Sequence, residues 1–161
     1  MKTLSTAKWT FGLMMAAIVV GGCDKDPSTC KNVDPSQEDA QLTAFNMANS
    51  ITPTKHTTGM YYQILAPGGS AKPTYNSRVY VKYKGTLLDG KVFDQQTNPG
   101  NTGFVLSSLI QAWQLGITLL GRGGSMKMTV PSSMGYGCKG SGTSIPPNTP
   151  LYFEIELIDF L

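Results

Sequence analysis

From Gly59 onward the chain repeats with a period of two, and this constrains its fold more than any other feature. Met60, Tyr62 and Ile64 alternate with Tyr61, Gln63 and Leu65. Val79, Val81 and Tyr83 alternate with Tyr80, Lys82 and Lys84, and Met126, Met128 and Val130 with Lys127 and Thr129. Leu151, Phe153, Ile155 and Leu157 alternate with Tyr152, Glu154 and Glu156. Successive side chains of a strand point to opposite faces, so each stretch predicts a strand with one buried face. Polar residues in the second register predict a partly wet second face, as antiparallel sheets have. Eighteen Gly and ten Pro supply the turns such a sheet needs.

One stretch breaks this period. Ile110, Trp113 and Ile117 recur at helical spacing, with Ser107 and Ser108 as possible N-caps and Gly121, Gly123 and Gly124 as stops. A half-apolar sheet must be covered, and this helix is the cover available within the domain. The expected architecture is therefore α+β: a curved antiparallel sheet of about five strands wrapped on one short helix. Hydrophobic residues make up 40% of the chain and charged residues 14%, enough for a core and too little charge for a disordered protein. A formal net charge of +3 without clustered Lys or Arg does not make a nucleic-acid footprint.

The N-terminal part reads differently. Lys2 and Lys8 precede an apolar run from Trp9 to Val20. Such a run is too short for a spanning helix, which needs roughly 20 residues, and suits a secretory signal. Val20-Gly21-Gly22-Cys23 resembles a bacterial lipobox, which implies lipid on Cys23 and a mature chain beginning there. Residues 1–22 are thus expected to be a lipoprotein signal peptide, and residues 23–56 a polar tether with a possible short helix capped by Ser36. Phe45 would lie on the weak apolar side of that helix, which could rest on the domain or pair with a second copy; self-association is left open. Cys30 and Cys138 remain. An exported chain lives where disulfides persist, so a bridge between them is possible. His56 is the single histidine. No Cys/His spacing suits zinc, and no metal or other cofactor is expected.

The familiar catalytic sets are missing from the sequence. It contains no G-x-S-x-G, no Ser/His/Asp set and no H-E-x-x-H. Gly121-Arg122-Gly123-Gly124-Ser125 lacks the P-loop spacing and reads as a turn. The carboxylates form no evident acid/base pair. Aromatic and aliphatic residues gather near turns instead: Tyr83, Phe93, Phe104, Trp113, Tyr136 and Ile145.

Read in order, these positions carry a resemblance. Val81-Lys82-Tyr83-Lys84-Gly85-Thr86-Leu87-Leu88-Asp89-Gly90-Lys91-Val92-Phe93-Asp94 resembles the V-x-Y-x-G-x-L-x-D-G-x-x-F-D signature of FKBP-type peptidyl-prolyl isomerases. Phe104 to Trp113 resembles the family's run into its helix, with Ala112 where Gly is usual. Pro131 to Gly137 resembles P-x-x-x-x-Y-G. Ile145-Pro146-Pro147-Asn148 resembles I-P-P-N, and Leu151 to Leu157 resembles L-x-F-x-I-E-L. The matches run in family order from near Gly59 to Leu161.

The resemblance implies a domain over residues 57–161 and a role for each residue. Trp113 would floor a pocket for a proline ring. Tyr83, Phe93, Leu109, Ile110 and Phe153 would wall it, and Phe104 would lie along one side. The Ile110 N–H and the Tyr136 hydroxyl would donate to substrate carbonyls. Asp94 would sit at the edge, held by polar neighbours, and Ile145 on a mobile loop above. Tyr83, Asp94 and Tyr136 would be the catalytic group. The implied activity is isomerisation of X-Pro bonds in proline-containing segments of exported proteins, at a bacterial envelope membrane and with no nucleic-acid partner. The competing readings are a non-catalytic peptide-binding module or chaperone using the same pocket, and a structural envelope lipoprotein.

Overall fold

The alternating stretches become the long strands of an antiparallel sheet. The computed structural model describes residues 30–100 and 103–161; the expected signal peptide and Cys23 lie outside the described residues. The strands are β1 (Thr54–Lys55), β2 (Tyr61–Ala66), β3 (Arg78–Leu87), β4 (Val92–Gln96), β5 (Phe104–Val105), β6 (Gly124–Val130) and β7 (Leu151–Phe160). Their order is β1-β2-β6-β7-β3-β4, with β5 also paired to β3. The sheet thus has seven strands among the described residues where about five were expected. The additional ones include β1 and β5, which are two residues long and too short to show a period.

One face of the sheet carries the core. Val79, Val81, Met126, Met128, Phe153, Ile155 and Leu157 are buried there, as the alternation predicts. The helix α2 (Gln111–Ile117) lies across them with Ala112, Trp113, Gly116 and Ile117 inward. A register shift between Tyr80 and Val81 lets β7 carry one extra residue, so that Phe160 pairs with Val79 and joins the core.

Ser107 and Ser108 do not cap α2. They belong to a 3-10 turn, Leu106–Ser108, and Ile110 stands at the N-cap position without a side-chain bond. Leu109 and Ile110 intervene in extended conformation, so the serines end too far from the helix. The Ser108 hydroxyl turns back to donate to the Val105 carbonyl at 2.7 Å.

The second face is not simply wet. A second helix, α1 (Pro35–Ala48), lies on it. Its cap is Asp34, whose carboxylate accepts from the Ser36 N–H at 2.9 Å, with Pro35 at the first helical position. Ser36, the expected cap, lies two positions past the actual cap, because Asp34-Pro35 is the stronger start signal. The register places Tyr61, Thr129, Tyr152 and Thr86 in one row across β2, β6, β7 and β3. The helix meets this row residue by residue. The Tyr61 hydroxyl donates to Asp39 at 2.6 Å, the Thr129 hydroxyl donates to the Asn46 amide oxygen at 3.1 Å, and Phe45 packs on Tyr152 with ring centroids 5.2 Å apart. Leu42 is wholly buried beneath it. The order of layers is α1, sheet, α2.

If α1 is part of the packed domain, Leu42→Ala should cost about 2–5 kcal/mol of unfolding free energy. Urea denaturation measures this. An unchanged midpoint would mean that α1 hangs free.

Candidate functional site

Inward-facing positions at one end of the sheet are aromatic rather than aliphatic. Tyr83 points inward from the middle of β3, Phe93 from β4, Phe104 from β5 and Phe153 from β7. They meet Trp113 on α2. The rings pack edge to face in an unbroken series. Phe104 and Tyr83 are 6.4 Å apart between centroids, Tyr83 and Trp113 4.9 Å, Trp113 and Phe153 5.4 Å, and Phe153 and Phe93 5.6 Å. Each such pair contributes about 0.5–1.5 kcal/mol beyond its buried area, so the cluster holds its own shape. Trp113 is only 5% exposed. Its indole N–H is buried with no hydrogen-bond partner among the described residues.

Above this floor lies a cavity of about 140 Å³ lined by Tyr83, Phe93, Asp94, Phe104, Leu109, Ile110, Trp113, Tyr136 and Phe153. Nine of the ten expected pocket residues therefore surround one space. The tenth, Ile145, does not line it. Ile145 is 3% exposed and belongs to the core. It is fixed by a reciprocal backbone pair with Ser141, at 2.8 and 3.1 Å, and this bridge turns the side chain inward instead of leaving it on an open loop.

Sequence reasoning gave no role to Gly85 or Gln114. Gly85 lies on β3 between two rings. A Cβ there would come within 2.5 Å of Phe93 and 2.9 Å of Phe153, so only a glycine lets the rings close over the strand. Gln114, on α2, donates from its amide to the Ser107 and Leu109 carbonyls at 3.1 and 2.7 Å. This pins the turn that carries Leu109 and Ile110. The Leu109 N–H is used inside that turn, donating to the Leu106 carbonyl at 3.1 Å. For Gly85 the signal was present in the Y-x-G spacing; for Gln114 the sequence carries none.

Polar groups sit at the rim. The Tyr83 hydroxyl donates to Asp94 Oδ2 at 2.7 Å. Tyr136 is 38% exposed, and its hydroxyl has no hydrogen-bond partner among the described residues. Burial raises the Tyr83 phenol above its ordinary value, and the bond to Asp94 adds to this. Burial also raises the Tyr136 phenol, with the Asp94 charge as the second cause. Both hydroxyls stay protonated at neutral pH and can donate. The site offers apolar walls and a few donors, and no nucleophile paired with a base.

A larger concavity, about 420 Å³, lies on the opposite face of the sheet and is lined by Lys82, Lys84, Lys127, Glu154 and Glu156 among others. Its charges partly pair, with Lys82 and Glu156 at 3.5 Å. It lacks the converging rings that a small apolar group requires. Among the described residues no cluster of His, Cys, Asp and Glu could hold a metal ion.

The chain resembles known proteins over this same region. Residues 69–158 match the family model described as FKBP-type peptidyl-prolyl cis-trans isomerase. The FKBP-type peptidyl-prolyl cis-trans isomerase FkpA of Escherichia coli K12 is 38% identical over 104 residues, covering 64% of this chain and 38% of that protein. The chain therefore spans less than half the length of this relative. The outer membrane protein MIP of Legionella longbeachae is 35% identical over 130 residues, covering 79% of this chain and 56% of that protein. Among solved structures, a peptidyl-prolyl cis-trans isomerase from Pseudomonas syringae superposes with a TM-score of 0.66 at 34% identity, covering 81% of this chain and 98% of that one.

The raised Tyr83 phenol has a pH consequence. It is protonated in the fold where the unfolded chain would ionise. The stability it brings is whole below the ordinary value of 10.0 and is lost as pH climbs from there through the raised native value. Spectrophotometric titration should therefore show tyrosines that ionise late in the folded protein. Tyr83→Phe should remove one of them and leave Tyr152, whose phenol burial also raises. Titration of all tyrosines near 10.0 would contradict the site geometry.

Proposed function

The chain belongs to the family of FKBP-type peptidyl-prolyl cis-trans isomerases, and we propose that it accelerates rotation about X-Pro bonds in proline-containing segments of exported proteins. The observation that carries this is the aromatic cavity with the bonded Tyr83–Asp94 pair and the Tyr136 hydroxyl among its lining groups. Rotation about a peptide bond meets a barrier of about 18–20 kcal/mol because amide resonance is lost on twisting. Uncatalysed X-Pro exchange takes tens to hundreds of seconds. No bond to a heavy atom is made or broken, so neither nucleophile nor general base is required.

The residues divide the work physically. The Trp113 indole supports the proline ring, and Tyr83, Phe93, Leu109, Ile110 and Phe153 enclose it, with Phe104 alongside. A planar amide has a larger dipole than a twisted one, so taking it out of water costs the ground state more than the transition state. Shape that fits the twisted form adds differential binding. The Ile110 N–H and the Tyr136 hydroxyl donate to carbonyls flanking the bond. Asp94, held by Tyr83, faces the rim and fixes the orientation of that ring.

We also propose that lipid on Cys23 anchors the chain to a bacterial envelope membrane. The Val20-Gly21-Gly22-Cys23 run supports this. So does the Cys30–Cys138 disulfide, which suits an oxidising compartment, and so does the relative named as an outer membrane protein. Among the described residues no helix is long and apolar enough to cross a membrane. More than one acyl chain would hold firmly, since each buried methylene contributes roughly 0.8 kcal/mol.

Two measurements test these readings. The full chain should speed cis/trans exchange of a Leu-Pro peptide, and Tyr136→Phe with Asp94→Ala should lower kcat/KM by about 10- to 100-fold, the loss of roughly 1.4–2.8 kcal/mol of transition-state stabilisation. Peptide binding without acceleration would contradict the isomerase reading in favour of a holding module. Mass spectrometry of the membrane-bound form should find an acylated Cys23 at the N-terminus; an unmodified Cys23 would overturn the anchor.

A further inference from the structure

The loop that carries Tyr136 is held from outside the sheet. It runs from Pro131 through a 3-10 turn, Ser132–Met134, then Gly135 and Tyr136, into a second turn, Gly137–Lys139. The N-terminal segment grips it on both sides of Tyr136. On one side, Glu38 of α1 is 6% exposed and its carboxylate accepts from the Ser132 N–H at 2.7 Å. The Ser132 hydroxyl is itself buried without a partner. On the other side, Cys30 is bonded to Cys138 with Cα atoms 5.5 Å apart. The Asn32 amide oxygen accepts from the Cys138 N–H at 2.9 Å.

Two features suggest that this grip serves the loop. A buried carboxylate is costly to keep and is tolerated where its oxygens are committed to donors. Glu38 commits an acceptor oxygen to the first N–H of the turn that leads to Tyr136. The second feature is a glycine. Gly137 has φ +57°, and a Cβ there would come within 2.4 Å of Asn32 Oδ1. The backbone next to Tyr136 is thus shaped to receive the N-terminal segment. Tyr136 also borders a groove of about 310 Å³ walled by Cys30, Asn32 and Cys138. The segment reaches the same residue that lines the aromatic cavity.

We propose that Glu38 and the Cys30–Cys138 disulfide are positioning elements of the isomerase site, holding the Ser132–Lys139 loop at both ends so that the Tyr136 hydroxyl stays over the pocket. The proposal rests on the isomerase reading for its effect on turnover and on geometry alone for its effect on the loop. It makes the N-terminal segment part of the working site. It also makes the site sensitive to thiol reductants, because Cys30 is solvent-exposed.

The test uses the full chain, below its thermal midpoint, with Glu38→Ala, Glu38→Gln and the Cys30→Ser/Cys138→Ser pair. Each is made with Tyr136 present and with Tyr136→Phe. Leu-Pro exchange gives kcat and KM, and 3-fluorotyrosine NMR reports the Tyr136 environment, its line assigned by its loss in Tyr136→Phe. Glu38→Ala and the cysteine pair should each lower kcat/KM about tenfold when Tyr136 is present and cost nothing further in the Tyr136→Phe background, the non-additivity of coupled groups. Glu38→Gln keeps an acceptor and should retain most of the rate. Equal losses in both backgrounds, or no loss in either, would overturn the proposal. If the wild-type chain shows no acceleration, the isomerase reading fails and the fluorine line decides the positioning. A single wild-type line that broadens or splits in both Glu38→Ala and the cysteine pair upholds it, and an unchanged line overturns it.

Discussion

The register of β7 between β6 and β3 determines what each face of the sheet can do. Phe153 stands opposite Met128 and Gly85, and Tyr152 opposite Thr129 and Thr86. One face thereby receives a ring beside a glycine, which opens room for Phe93 to close over the strand. The other receives the row on which α1 sits. A slip by one residue would exchange the two faces, burying Glu154 and Glu156 against α2 and exposing Phe153 and Ile155. The aromatic floor, the glycine gap and the helix seat follow from one pairing.

The site is accordingly made of rings held by backbone pairing. Tyr83, Phe93, Phe104 and Phe153 come from four strands, and Trp113 from the one helix on that face. Edge-to-face contact links all five. A side-chain hydrogen bond joins Tyr83 of this group to Asp94, and both phenols at the rim are pushed toward their neutral forms. Such a surface can exclude water, fit a ring and donate hydrogen bonds. Its chemistry is that of a shaped solvent.

Legibility in the sequence followed the range of the interaction. Strands of six or more residues announce themselves by alternation, and β3, β6 and β7 lie where the alternation put them. The two-residue strands β1 and β5 exist only through pairing with β2 and β3, which no local pattern records. The start of α1 was misread because Ser36 and Asp34 carry similar cap signals, and Pro35 between them decides for Asp34. Trp113 and Phe153 are indistinguishable from core by spacing alone; the order of motifs marked them. Ile145 is the converse case. Its motif suggested a place above the pocket, and a backbone bridge to Ser141, invisible in sequence, turned it inward. Glu38 gave no signal at all, since a glutamate on a polar helix is usually solvated.

If the pocket works by removing water and fitting a twisted bond, no proton moves in the rate-limiting step. The most direct measurement is the rate of Leu-Pro exchange catalysed by the full chain in light and in heavy water, at matched protonation. The account predicts nearly equal rates. A markedly slower rate in heavy water would mean that a proton is transferred in the transition state, as general acid–base catalysis requires, and would contradict a site whose action is shape and dryness.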